Sequence, residues 1–296
     1  MTRLPNFLII GAAKSGTTSL YDYLNQHPQV YMSPVKEPRF FALEGEKLNF
    51  QNPDQAINET SITTFSDYCS LFDNVTHETA IGEASPLYLY SPKAVERIAH
   101  CLPEAKLIAI LRNPVDRAYS CYKHLIALER FSFAEALEQE DKRIQQNWAH
   151  LWHYRQGGYY YLQLKRYFDK FSPEQIKVYL FDDLKAEPAK LLEDVYSFIG
   201  VDSSFIPDLT FKNVSNNPKV KSLQNITNGH SFLRSVAQQV IPYSIRKNIA
   251  EKIRQWNSKE FTPMPQDTKE QLVEGYKQDI LKLQELIDRD LSHWLR

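Results

Sequence analysis

The stretch FLIIGAAKSGTTSLYDYL, residues 7 to 24, restricts the fold more than any other part of the chain. Phe7–Ile10 is a continuous apolar run, as in a strand buried on both faces. Thr17–Gln26 then carries Leu20, Tyr23 and Leu24 at helical spacing. His27-Pro28 stops that helix, because the residue before proline is pushed out of the helical region. Between strand and helix lies a loop of small residues holding one lysine. Such a junction makes an anion site: backbone N–H groups point outward and the helix dipole adds partial positive charge. Gly11 and Gly16 let the backbone approach a ligand, Lys14 adds a full charge, and Thr17 and Thr18 add hydroxyl donors. The plainer reading is an ordinary turn with an exposed lysine, but too many suitable residues coincide at this junction to favour it.

The same alternation continues. Gln29–Met32, Thr79–Gly82, Lys106–Leu111 and Ile176–Phe181 read as strands. Pro114–Leu128, Phe133–Asn147, Tyr159–Phe171 and Ala189–Ile199 read as helices, the last ended by Gly200. Residues 42–66 carry few periodic signals and are expected to run irregularly over the surface. Residues 211–230 are polar and expected to be a loop, and amphipathic helices over 231–258 and 267–295 close the chain. Strands alternating with helices imply an α/β fold, a three-layer sandwich with a central, mostly parallel sheet flanked by helices. With no internal repeat or low-complexity linker, one domain over residues 1–296 is expected.

Composition removes several function classes. At 43% hydrophobic and 12% aromatic, the 296 residues can fill a sizeable core. The net charge of −1 argues against electrostatic binding of nucleic acid by the chain as a whole. Cys69, Cys101 and Cys121 are scattered, without a CxxC pair, so neither a metal site nor a disulfide framework is readable and a reducing compartment is expected. The run from Phe7 to Ala13 is too short to span a membrane and lacks the features of a secretion signal, which leads to the expectation of a cytoplasmic protein.

A second anion site is readable in LIAILRNPVDRAYSCYKH. A buried strand ends at Arg112 and a helix begins at Pro114, with Asn113 as cap and Asp116 near the positive dipole end. Arg117, Ser120 and His124 share one helical face by steps of three and four. An arginine fork with a hydroxyl suits a terminal phosphate, each charge-assisted hydrogen bond contributing about 1.5–3 kcal/mol. Alternatively, Arg112 pairs with a carboxylate and Ser120 merely packs. Both sites lie at the C-terminal ends of buried strands, where α/β sheets bind ligands. The lysine precedes the glycine in Lys14-Ser15-Gly16-Thr17, whereas a Walker A loop places it directly after. Arg112 stands where a magnesium-binding acid would be expected. Two anion sites without a metal ligand between them fit a nucleotide phosphorylated at both 3′ and 5′ positions better than ATP. A magnesium-dependent kinase or NTPase, supported by Asp182 and Asp183 in VYLFDD, is the alternative; a non-catalytic nucleotide-binding module is a third reading.

GAAKSGTTSLYDYLNQHP resembles the 5′-phosphosulfate loop of sulfotransferases, and RNPVDRAYSCYKH resembles their 3′-phosphate motif. The likeness is to the heparan-sulfate-type sulfotransferases and their bacterial relatives. It extends through YRQGGYYYLQLKRYFDKFSPEQIKVYLFDDL and LQELIDRDLSHWL, and is weakest at 42–78 and 225–265. The resemblance implies a P-loop-NTPase-like fold and 3′-phosphoadenosine-5′-phosphosulfate as co-substrate, without a metal. It implies that Lys14, Ser15, Gly16, Thr17, Thr18 and Ser19 hold the 5′-phosphosulfate, and that Arg112 and Ser120 hold the 3′-phosphate. Glu37, in KEPRFF, would be the catalytic base toward an acceptor hydroxyl, and Lys14 would stabilise the leaving group. Ala84 departs from relatives, in which a lysine often follows the GE glutamate, and so removes one possible contact. The chain also shows no membrane anchor or stem like those of the Golgi enzymes, which supports the bacterial-type expectation.

Glu37 has competitors. As a surface acid it could simply pair with Lys36 or Arg39. His124 could serve as base, although a packing or phosphate-side role suits its position better. Glu83, expected near the same rim, could assist the acceptor or cap the turn before Pro86. Partial burial is expected to raise the Glu37 carboxyl from its free value near ~4.3 toward the working range. The aromatic groups at 88–90, 147–154 and 159–161 are expected to be mostly core, with some members lining an acceptor cleft. A glycan, a lipid-like alcohol, a carrier-bound acyl chain and a small phenol all remain open as the acceptor.

Overall fold

The computed structural model describes residues 3–211 and 263–296. Contacts divide the chain into Met1–Leu209 with Met264–Arg296 and a second unit, Thr210–Pro263, of which only the ends fall among the described residues. The loop expected at 211–230 and the helix expected at 231–258 therefore lie outside the described residues, apart from Phe211.

Five strands form one parallel sheet in the order β2-β3-β1-β4-β5. They are β1 (Phe7–Gly11), β2 (Val30–Met32), β3 (Ala80–Ala84), β4 (Lys106–Leu111) and β5 (Ile176–Leu180). Strand β1 is central and buried throughout, which is why its sequence is an unbroken apolar run rather than an alternating one. Its side chains still alternate between two layers. Leu8 and Ile10 join one core with Leu107, Ala109 and Leu111, while Phe7 and Ile9 join the other with Ile108 and Ile110.

Among the described residues six longer helices cover the faces: α1 (Thr17–Leu24), α2 (Pro92–Cys101), α3 (Pro114–Leu125), α4 (Tyr160–Phe168), α5 (Pro188–Ile199) and α6 (Gln266–Ile287). Leu20 and Leu24 of α1 and Leu191 and Val195 of α5 fill the Phe7 side. Helices α2, α3, α4 and α6 fill the other through Val95, Ala118, Leu164 and Tyr276. The result is the three-layer α/β sandwich that the strand–helix alternation implies. Among the described residues no helix is long and apolar enough to cross a membrane.

Several boundaries differ from the sequence expectation, each for a local reason. The helix expected at 133–147 resets at Gln139 into Phe133–Glu138 and Glu140–Gln145. The reset buries Glu140, whose carboxylate accepts Arg155 N–H at 2.6 Å and Gln156 N–H at 2.7 Å. The terminal helix stops at Ile287, followed by a short turn at Ser292–Leu295 that buries Trp294. Residues 42–66 run largely irregularly over the surface, as expected, but the run is anchored. They include a helical turn at Ala56–Thr60, and buried Asn52 accepts Ala149 N–H at 2.9 Å, pinning the segment to a region almost a hundred residues away.

Candidate functional site

Strand β1 ends where the phosphate-type loop begins, and the loop is tied to β4 by Ala12 N–H donating to Ile110 O at 2.8 Å. Gly16 turns the chain into α1 at φ +97°, a conformation that L side chains rarely adopt; an added Cβ would also lie 2.9 Å from Leu184 Cδ2. Leu20 N–H is the first amide of α1 with a backbone acceptor, Gly16 O at 3.1 Å, so the amides ahead of it face the mouth of the loop. Lys14, half-buried, has φ +68°. Thr18 is exposed, Ser19 is half-buried and Thr17 is buried. Ser15 is fully buried, with its hydroxyl beside that of Tyr160 but without a well-aligned hydrogen bond, so only its backbone can serve a ligand in the mouth.

Cations crowd this mouth. Burial pushes the Lys14 ammonium below its usual range; Arg112 and Lys36 push it further, against the opposing pull of Cys121 and Glu37. Among the described residues Lys14 makes no ion pair. Arg112 stands at the end of β4, donating Nη1 to Lys14 O at 3.4 Å, while Tyr160 Oη donates to Arg112 O at 3.0 Å. Its guanidinium lies 4.8 Å over the Phe181 ring, and among the described residues it has no carboxylate partner. Lys123 on α3 is lowered by burial and by Arg112, and Lys185 Nζ lies 5.5 Å from the same Phe181 ring. Cations that repel one another in a partly desolvated mouth are relieved by an anion placed among them.

Asn113 caps α3 as its sequence predicts, accepting Val115 N–H at 2.9 Å and Asp116 N–H at 3.4 Å. Ser120 is half-buried on that helix. The shared face expected for Arg117, Ser120 and His124 does not form one anion-facing surface. Arg117 is buried, with Nη2 donating to Tyr154 O, whereas His124 is exposed. The long arginine side chain turns into the core, where half-buried Gly157 leaves it room: a Cβ there would lie 2.8 Å from Arg117 Nη1. Lys123, Phe181 and Lys185 were missed by sequence reasoning, and Lys36 was read only as a partner for Glu37. The available signal for Phe181 was its place directly after a strand that ends at the same sheet edge.

Glu37 faces Lys14 across the mouth closely enough for each to bias the other's charge. Lys36 Nζ lies 2.9 Å from Oε1 and Arg39 Nη2 lies 3.1 Å from Oε2, so the pairing with neighbours is present on both sides. The expectation of a raised Glu37 pKa is therefore overturned. Burial does push the carboxyl up, but Lys36 and Arg39 together outweigh it and hold it at about 2. Lys14, Glu37 and Arg39 are three of the five non-glycine residues with positive φ among the described residues. Such backbone costs of order 1–3 kcal/mol each and gathers at functional sites.

Glu83 is not at the rim. It is fully buried below the Glu37 segment, where burial raises its carboxyl to about 7. Ala84 is buried toward the α1 side, pointing away from it. Of the aromatic groups, Tyr88, Trp152, Tyr154 and Tyr160 are core. Tyr90 and His150 line a small cleft with Ala12, Pro86, Leu89 and Gln163. His150, read in the sequence only as part of an aromatic group, lies near Glu37 and Arg39; burial holds it neutral, at about 3, with Nδ1 unpartnered among the described residues. Of the acids that support the kinase alternative, Asp183 is held by Arg289 at 3.0 Å and accepts Leu180 N–H at 3.3 Å, and Asp182 lies 4.0 Å from His293. Among the described residues no group of three His, Cys, Asp or Glu side chains could hold a metal.

Comparison with known proteins agrees with this geometry. Residues 4–265 match the sulfotransferase domain family. The chain is 33% identical over 204 residues to a human bifunctional heparan sulfate N-deacetylase/N-sulfotransferase 3, covering 67% of this chain and 22% of that protein. It is 32% identical over 212 residues to the mouse N-deacetylase/N-sulfotransferase 1, covering 68% of this chain and 23% of that protein. The match thus spans less than a quarter of these curated relatives. A crystal structure of a sulfotransferase from Alicyclobacillus acidocaldarius is similar at a TM-score of 0.79 and 35% identity, covering 99% of this chain and 100% of that one. The parallel sheet and these matches agree: the chain belongs to the sulfotransferase family.

Proposed function

We propose that the chain transfers a sulfuryl group from 3′-phosphoadenosine-5′-phosphosulfate to a hydroxyl-bearing acceptor, with Glu37 as base and no metal. The observation that carries this reading is the convergence of Lys14, Lys36, Arg112 and Lys123 near the ends of β1 and β4, with the Glu37 carboxylate facing Lys14. The co-substrate supplies the sulfuryl group and leaves as adenosine 3′,5′-bisphosphate. The loop amides of residues 14–19, with the hydroxyls of Thr17, Thr18 and Ser19, suit its 5′ end; Arg112 and Ser120 suit its 3′-phosphate. Phe181, beside both Gly16 and Arg112, closes the space between them.

In this reading the acceptor oxygen forms the new S–O bond as the bond from sulfur to the bridging oxygen breaks. The acceptor proton passes to Glu37, and Lys14 meets the charge that grows on the bridging oxygen. A carboxylate held at about 2 is a weak proton acceptor. Lys36 resolves this conflict, because an anion bound at the mouth competes with Glu37 for its charge. As Lys36 is drawn away, the proton affinity of Glu37 rises toward that of an ordinary carboxylate. Sulfuryl transfer demands positioning and charge stabilisation more than covalent work by the protein, by analogy with phosphoryl transfer.

The test is release of the bisphosphate, with formation of a sulfated product, when the enzyme meets the labelled co-substrate and a panel of glycan, alkyl and phenolic hydroxyl acceptors in EDTA. Product formation supports the reading. Turnover only with magnesium and ATP, with none from the phosphosulfate, returns the function to the kinase class. An amine acceptor that outcompetes every hydroxyl would keep the donor and replace the acceptor class.

A further inference from the structure

Glu83 lies on β3, one residue before its end, with its side chain fully buried beneath residues 37–41. Ile62 N–H donates to Pro38 O at 2.9 Å and Arg97 Nη1 to Phe41 O at 3.1 Å, but the three backbone N–H groups that the segment itself donates all land around Glu83. Glu37 N–H donates to Ala84 O at 3.0 Å, Arg39 N–H to Ser85 Oγ at 3.0 Å, and Phe41 N–H to Tyr88 Oη at 3.4 Å. The Ser85 and Tyr88 hydroxyls also lie beside the Glu83 carboxyl, without a well-aligned hydrogen bond to it. Each accepts from the segment, which leaves its own proton available to the carboxyl. Tyr68 Oη donates to Oε1 at 3.3 Å, while Oε2 is buried without a well-aligned partner.

Resting on the reading of Glu37 as base, we propose that Glu83 is a positioning residue: through Ser85 and Tyr88 its buried carboxyl fixes the backbone of residues 37–41 and so aims the Glu37 side chain. Glu83 does not touch the acceptor or the co-substrate. The charge state of this carboxyl decides how firmly it holds. Among the described residues it makes no ion pair, and its titratable neighbours include Tyr68, Tyr88, Tyr167 and the Glu37 carboxylate. Burial pushes the three phenols well above their ordinary range, so they stay protonated and act as donors. Burial likewise holds Glu83 at about 7, so it carries its proton below neutrality and loses it above. The ionised form draws the Ser85 and Tyr88 protons more strongly and repels Glu37. The hold on residues 37–41 therefore changes across neutral pH while the ion pairs at Glu37 stay in place.

The test follows the backbone amide resonances of Glu37, Arg39 and Phe41 from pH 5.5 to 8.5 in the full chain, in wild type and Glu83→Gln. Calorimetric binding of adenosine 3′,5′-bisphosphate is measured beside it. Glutamine mimics the protonated acid, so this variant is expected to fold and to bind the bisphosphate within twofold of wild type. The three amides are expected to shift together in wild type, with a midpoint near 7, and to lose that shift in Glu83→Gln. Where turnover is measurable, kcat should follow the same midpoint in wild type and become flat over that range in the variant, with KM for the co-substrate unchanged. Amides that do not titrate, or that titrate alike in both proteins, would overturn the proposal. Absence of bisphosphate binding in wild type would instead overturn the donor site, and the amide titration would still decide whether Glu83 governs the segment.

Discussion

At the residue scale the chemistry turns on one carboxylate held between two cations. Glu37→Gln is expected to lower kcat by about two orders of magnitude, the range of a lost general base, with bisphosphate affinity changed less than threefold. Parallel turnover and calorimetry check this, and wild-type turnover in the variant would remove the base assignment. Lys36→Gln tests the clamp separately. Without Lys36 the carboxyl rises from about 2, so the acidic limb of the kcat/KM profile, which reports the free enzyme, should move to higher pH. An unmoved limb would mean that Lys36 does not govern Glu37. Little of this was legible in the sequence. Glu37 was reachable through the resemblance of KEPRFF, but its φ of +63° and its simultaneous pairing with Lys36 and Arg39 depend on how the segment lies on β3. Neither the proximity of His150 nor the burial of Glu83 leaves a periodic trace, since both arise from contacts distant along the chain.

At the scale of elements the sequence was far more informative. An unbroken apolar run can satisfy its side chains only between two layers, so β1 and β4 were readable almost to the residue. The start of α3 was equally plain, because Asn113, Pro114 and Asp116 each meet a separate demand of a helix N-terminus. Asn113→Ala is expected to cost about 1 kcal/mol by denaturant unfolding. The loop before α1 depends more on conformation than on chemistry. Gly16→Ala places a Cβ at φ +97° and against Leu184, so bisphosphate binding should weaken at least tenfold, provided that the variant's circular dichroism matches wild type. Unchanged affinity would mean that the loop adapts and that its shape is not what binds. The expectation failed at Arg117 because helical spacing fixes which side of a helix a residue occupies, not where a long side chain ends.

For the whole molecule, the two carboxyls under and beside the mouth give stability opposite dependences on pH. The Glu37 carboxyl is held below its unfolded value, so the stability it contributes is present above about pH 4.5 and is lost as pH falls toward 2. The Glu83 carboxyl is raised, so its folded state binds the proton more tightly than the unfolded chain does. That contribution is present below about pH 4.5 and is lost as pH rises to about 7, a change of about 3 kcal/mol. Thermal unfolding across pH 4 to 8 should show this decline in wild type and a flatter profile in Glu83→Gln; parallel profiles would mean that Glu83 is ordinarily solvated. The layered architecture was legible because it follows from strand–helix alternation, whereas Asn52 and Glu140, which pin distant segments together, were not.

The most direct test of the donor site is calorimetric titration of the full chain with adenosine 3′,5′-bisphosphate in EDTA, beside ATP with magnesium, for wild type and Arg112→Ala. The bisphosphate is expected to bind without metal and more tightly than ATP. Arg112→Ala should weaken it by about 10- to 100-fold, as the loss of charge-assisted hydrogen bonds implies. Preference for ATP with magnesium, or bisphosphate binding indifferent to Arg112, would contradict the assignment of the two strand ends to a 3′,5′-bisphosphorylated nucleotide.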